Sequence, residues 1–221
     1  MSGLPKYPAL ALAATLALGV GASPAGAAPV QVASNRCNGQ TIDDASARVR
    51  DYDRRGDAGN TAQLLQRFGA IADVIAILNE EREILDSICS SDEQRAPLFA
   101  QIAATSAWAL TLEADIATRL NGSCPAAQKA LPAMMLADAW LALANIINES
   151  KGSVPEAFSV VIPRIQARAQ TVGLTLPAWS ETSAYWRDQV RTASKATIAS
   201  CPSPSPVPSP SPSKILRIVL K

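Results

Sequence analysis

Histidine is missing altogether from these 221 residues, and cysteine occurs only at Cys37, Cys89, Cys124 and Cys201, with no C-x-x-C pair among them. The first absence removes every nucleophile–histidine relay and would leave a zinc site to four scattered thiolates. No G-x-S-x-G turn and no phosphate-cradling glycine loop is present either. Aromatic residues are 5% of the chain and glycine is concentrated at a few breaks, a composition that suits packed helices better than a sandwich or barrel. An excess of one charge is lacking too, because 20 basic residues face 19 acidic ones, and nothing in that balance attracts nucleic acid. The longest apolar run of the body, residues 131–147, carries Asp138 and Asn145 inside it. It falls short of the about 20 uninterrupted apolar residues of a membrane span, so no transmembrane helix is expected after the leader.

What is there begins with that leader. Lys6 precedes an apolar run over 9–20 and a small-residue stretch over 22–28 that includes Ala25-Gly26-Ala27. This is the pattern of a cleavable export signal, expected over 1–28 with cleavage near Ala27 or Ala28. About 190 residues would remain, enough to bury a core in one domain, placed at 29–201. That chain has 19 basic and 19 acidic residues, distributed as a formal −3 up to Ser213 and +3 in the last eight residues.

Periodicity predicts six helices. A first, capped by Thr41 or Asp43, ends near Gly56; a second, capped by Asn60 or Thr61, runs to about Ile88 along a seam of Leu64, Phe68, Ile71, Ile75, Leu78 and Leu85, interrupted by Arg82. Ser90 and Glu93 have capping-box spacing ahead of a third helix to Leu120, with Pro97 a second place for its regular part to begin. The fourth, after Cys124-Pro125 with a fresh start expected at Pro132, is apolar nearly all round and is the expected buried centre. A fifth reaches Thr171 with a restart at Pro163, and a sixth covers 178–199. Trp108 and Trp140 each follow an alanine and each precede a Gly-Ser-x-Pro break, a faint repeat near 30 residues. Short connections make successive helices antiparallel neighbours, so the fold class is all-α, an up-and-down bundle of about six helices stapled by two disulfides.

Alternating directions along such a bundle put Cys89 and Cys201 at one end and Cys124 at the other. Cys37, on a leader before a short helix, reaches either. The favoured pairs are therefore Cys37–Cys124 and Cys89–Cys201; Cys37–Cys89 with Cys124–Cys201 is the second choice, which requires Pro132 or Pro163 to break the alternation.

Few residues offer chemistry. Asp138, within the apolar fourth helix, is either a structural carboxylate paired with an arginine of helix three, five or six, the favoured reading, or a general acid with a raised pKa. Glu113, Asp115 and the run 79–83 are expected on solvated faces. Trp108, Trp140 and Trp186, together with Asp138, could line a cavity for a small apolar ligand, although filling the space left by alanine is the default for large rings; Trp179, at a helix start after Pro177, is the ring expected to be exposed. Asn121-Gly122-Ser123 and Asn148-Glu149-Ser150 match the N-glycosylation pattern.

The end differs in kind. Residues 202–213 carry proline at every other position, which forbids helix and favours a semi-rigid polyproline II spacer like the linkers of exported cell-wall proteins. Residues 214–221 alternate basic and apolar groups, a short tail expected to be disordered. The function expected is that of a secreted protein, periplasmic if bacterial, non-enzymatic, acting as an interaction or scaffold module on an unknown protein or cell-envelope component, with no cofactor and no metal. A carrier of a small apolar ligand is the alternative, and an enzyme using Asp138 the second.

Overall fold

The computed structural model describes residues 37–201 apart from 38, 57, 122 and 123. The signal expected over 1–28, the spacer over 202–213 and the tail over 214–221 lie outside the described residues. Within them the protein is all-helical: α1 Gln40–Arg55, α2 Thr61–Ile88, α3 Asp92–Leu120, α4 Pro125–Glu149, α5 Val161–Val172 and α6 Ala184–Ala199, with single 3-10 turns at Glu156–Phe158 and Trp179–Glu181.

Local chemistry explains most of the boundaries. Asn60 and Gln63 form a reciprocal capping box at α2, each side chain accepting from the other's backbone N–H at 3.0 Å. α3 starts one residue later than its sequence spacing suggests, because Ser91 and not Ser90 accepts from Gln94 N. No side chain caps α1; Gly39, in the left-handed region at φ 75°, turns the chain in. The left-handed conformation favours glycine there, and a Cβ would also press on the Leu98 methyl 2.9 Å away. Neither Pro97 nor Pro132 restarts a helix: α3 and α4 run through them without a break. Pro163 falls in the first turn of α5, where a missing N–H costs nothing.

α3 is the axis of the molecule. One side of it packs with α1 and α2 around Ile42, Val49, Ile71, Leu78 and Leu85, and another packs with α4 and α5 around Leu136, Leu143, Ile147, Phe158 and Ile165. Phe99 and Trp108 touch both clusters. Ile71, Leu78, Leu136, Leu143 and Ile165 are fully buried, and each such side chain stabilises the fold by roughly 1.5–3 kcal/mol relative to exposure. Both α2 and α4 have the length and composition to cross a membrane; more than half of α4's apolar window is buried inside the bundle.

The disulfides are Cys37–Cys89 and Cys124–Cys201, which overturns the favoured pairing Cys37–Cys124 and Cys89–Cys201. Two geometric facts explain the difference. α1 and α2 form an antiparallel hairpin, so the start of one and the end of the other share an end of the bundle, and Cys37 meets Cys89. The alternation then fails at α6, and the cause is not a proline kink. Gly173, left-handed at φ 77°, ends α5, and residues 174–178 run back along α4 in extended form before α6 begins. Asn148, near the end of α4, donates to Trp179 O at 3.1 Å; Asp138 meets Arg187 and Arg191; Cys124 meets Cys201. Those three ties in succession make α6 antiparallel to α4, with its C-terminus beside Cys124.

Candidate functional site

The returning segment builds an open concavity against α5. Leu174 N donates to Ala169 O at 2.8 Å and closes the end of α5, and Trp140 Nε1 donates to Pro177 O at 3.1 Å, fixing the segment against α4. Trp179 then stacks on Trp140 with ring centroids 3.8 Å apart and planes 24° from parallel. Between the segment and α5 lies an open groove of about 910 Å³, lined by Trp140, Gln166, Gln170, Leu174, Leu176 and Trp179 among others. Its volume lies in the range of small-molecule sites. Gln166 and Gln170 are exposed, so the groove offers apolar rings and methyls on one side and side-chain amides on the other.

Trp179, expected to be exposed at the start of a helix, is instead only partly exposed and lies in a 3-10 turn beneath which Trp140 is 4% exposed. The other two tryptophans do not join the pair. Trp108 sits where the two cores meet, with the Arg164 guanidinium 4.9 Å over its ring and its indole N–H buried without a partner. Trp186, in the first turn of α6, packs on the α4–α5 core. The proposed ligand-lining set of Trp108, Asp138, Trp140 and Trp186 is therefore dispersed: of the four, Trp140 alone lines the groove.

Asp138 lies on a different side of α4, where Arg191 Nη2 donates to Oδ2 at 2.7 Å and Arg187 Nη1 is 3.7 Å from Oδ1. It joins α4 to α6 and faces neither concavity.

Two carboxylates expected on solvated faces are buried. Glu113, 6% exposed among Ala109, Ile116 and Ala117 of its own helix, has its pKa raised to about 7 by burial. Glu81 takes a place on the buried seam of α2 between Leu78 and Leu85, with Oε1 lacking a partner. Asp115, by contrast, is held by Arg168 Nε at 2.6 Å. A signal for Glu81 exists in the sequence, since it falls three residues after Leu78 and four before Leu85. For Glu113 there is none, because α3 buries nearly its whole circumference, and which polar residue falls inside depends on its neighbours.

A second cavity, of about 450 Å³, opens where α1 to α5 converge and reaches from Arg67, Asp115 and Arg168 down to Ile71 and Leu136. Its charges are engaged in holding the helices: Arg168 with Asp115, Arg164 with Asp53 at 2.9 Å, and Arg67 on the carbonyls of Gly56 and Ala58.

Both sequon asparagines use their amides structurally: Asn121 Nδ2 donates to Ala117 O at 2.8 Å and closes the end of α3, and Asn148 Nδ2 donates to Trp179 O and ties α4 to the 3-10 turn, so glycosylation at either would break a bond of the fold. No protein-family model matches the chain, and no curated protein or solved structure matches it significantly.

Proposed function

We propose that this is an exported, non-enzymatic binding protein whose contact site is the groove between α5 and the segment 174–179. The observation that carries this is the Trp140–Trp179 pair: a stacked pair of large rings held at the edge of an open concavity, with exposed glutamine amides opposite. Aromatic anchors beside a few polar groups are what binding sites use for affinity and orientation. An open groove, not an enclosed chamber, suits an extended apolar partner better than a fully engulfed small molecule. This favours an interaction role over a carrier, and it moves the contact site away from Trp108 and Trp186. Export rests on the leader, and the two disulfides agree with an oxidising compartment outside the cytosol. Asp138 supports no catalytic role, being committed to two arginines and outside both concavities.

The test uses the oxidised protein ending after Cys201, which retains all six helices and both disulfides. Titration with an apolar fluorescent probe such as anilinonaphthalene sulfonate should show one site that is lost in Trp179→Ala and kept in Trp186→Ala. Equal binding by the parent and Trp179→Ala would exclude the groove.

A further inference from the structure

We propose that the cavity where α1 to α5 converge binds a small organic anion, a monocarboxylate with a ring-sized apolar body. This site lies apart from the groove and does not depend on the groove reading. It rests on an open place between the two cores and on an excess of guanidinium at its mouth.

The cavity, of about 450 Å³, is large enough for such a molecule. Its floor comes from both cores: Ile71, Leu112 and Ile116 belong to the cluster around α1 and α2, and Leu136 to the cluster around α4 and α5. Earlier along α3 a ring closes the seam, because Trp108 packs against both clusters. Leu112 lies one turn further on. There α3 contributes Leu112, Ala114, Asp115 and Ile116, none of which carries a ring, and the space between the cores is left open. Ile71 and Leu136 are fully buried at the bottom, whereas Thr118, Arg119, Arg168 and Thr171 at the mouth are exposed, so polarity rises from floor to opening.

The opening is positive. Arg67, Arg119 and Arg168 line the cavity against Asp53 and Asp115. Both carboxylates are countered within the fold, Asp53 by Arg164 Nη1 at 2.9 Å and Asp115 by Arg168 Nε at 2.6 Å. Arg67 has no carboxylate partner among the described residues; its guanidinium donates to the carbonyls of Gly56 and Ala58. Three guanidiniums against two carboxylates leave the lining with a net positive charge, and Arg164 behind Asp53 adds to it.

Donors remain as well as charge. A guanidinium carries five N–H groups. Arg168 uses Nε and Nη2 on Asp115, and its Nη1 has no partner among the described residues. Arg67 engages Nη1 and Nη2 and keeps Nε. The planar oxygens of a carboxylate suit such donors. Because the charge to be met is small and the floor apolar, a monocarboxylate fits better than a phosphate. Its apolar body would take on the seam the place that the Trp108 ring takes one turn earlier, shielding Ile71 and Leu136 from water.

The experiment titrates the oxidised full chain by calorimetry with phenylacetate, cinnamate and octanoate, and with acetate and the neutral amide of whichever acid binds. At least one of the three acids should bind with a Kd below about 1 mM. Arg67→Gln should weaken it by about tenfold, the loss of a charge-assisted hydrogen bond. Because Arg67 also closes the end of α1, a second variant is needed: Thr171→Trp, at the exposed rim, should block binding while the helical circular dichroism stays as in the parent. No binding by any of the three acids overturns the proposal. So does an amide that binds as tightly as its acid, since the guanidiniums then contribute nothing, or acetate that matches the larger acids, since the floor then contributes nothing. Affinity unchanged in both variants places the ligand elsewhere and overturns it too. Trp179→Ala should leave the acid bound as before; loss of binding there would move the acid to the groove and sink this assignment, while the groove reading itself is tested by the apolar probe.

Discussion

Trp179 lies face to face with Trp140 at 3.8 Å between ring centroids, and the pair forms only because the backbone of residues 174–178 retraces the length of α4 that α5 has just left. One contact thus joins the groove, the reversal of the chain and the placement of α6. Replacing Trp179 by alanine should abolish the exciton signal of two coupled indoles in circular dichroism. It should also lower stability by about 1–3 kcal/mol, a stacking contribution plus lost burial. Urea unfolding of the variant measures the second effect; an unchanged spectrum would mean that the rings do not stack in solution.

Digestion of the unreduced protein should release the peptide containing Cys37 joined to that containing Cys89, and Cys124 joined to Cys201. The closed loops, with sequence separations of 52 and 77, imply about 4 kcal/mol per bond in the chain-entropy description. Removing Cys124 and Cys201 together should free the end of α6 first, seen as faster amide exchange in residues 190–201 than in α1.

Asp138 is predicted to be structural. Its carboxylate faces Arg187 and Arg191 with its side chain 24% exposed, so Asp138→Asn should cost about 1–3 kcal/mol, between the values for surface and buried pairs. The loss should be smaller in 1 M salt, where the ion pair of the parent is itself screened. A thermal melt at the two salt levels checks this; an unaltered melting temperature would remove the α4–α6 tie from the account.

Glu113 should make stability depend on pH in the direction opposite to an ion-paired carboxylate. Its folded pKa is raised from 4.5 to about 7, so between those values the native state holds a proton that the unfolded chain has released. Its contribution is therefore complete below about pH 4.5 and is lost as pH rises through about 7, a difference of roughly 3 kcal/mol. Glu113→Gln should raise the urea midpoint at pH 8 relative to the parent and leave it nearly unchanged at pH 4.5. Parallel midpoints of parent and variant across that range would refute the assignment.

The helices were legible in advance because their signals are local. Asn60 with Gln63, the Leu64-to-Leu85 seam, the break at Gly56 and the restart at Pro163 each act within a turn or two of chain. Ser91 displacing Ser90 as a cap is an error of one residue in such a signal. The groove was half legible. Trp140 stood out as a large ring in an alanine-rich helix, but its partner Trp179 was assigned to solvent because a residue at a helix start after proline is ordinarily exposed. The carboxylates were misjudged for a related reason: charge alternation marks a solvated face on a helix with one buried side, whereas α3 has almost no outer side, so Glu113 goes inside.

By itself the sequence determined the helix count, most of the helix C-terminal ends, the apolar centre at α4 and the absence of histidine-based chemistry, since these depend on composition and on neighbours within a few residues; the start of α6, expected at 178, lies at Ala184. The tertiary structure alone decided which cysteines meet, which carboxylates are buried and where the tryptophans stack. The Cys124–Cys201 bond and the Trp140–Trp179 stack follow from the direction of α6, and that direction was set by a return path through residues 174–178 whose hydrogen bonds, Trp140 to Pro177 and Asn148 to Trp179, connect residues more than thirty positions apart. No periodicity encodes such a contact, because its energy exists only once α4 and the segment lie side by side.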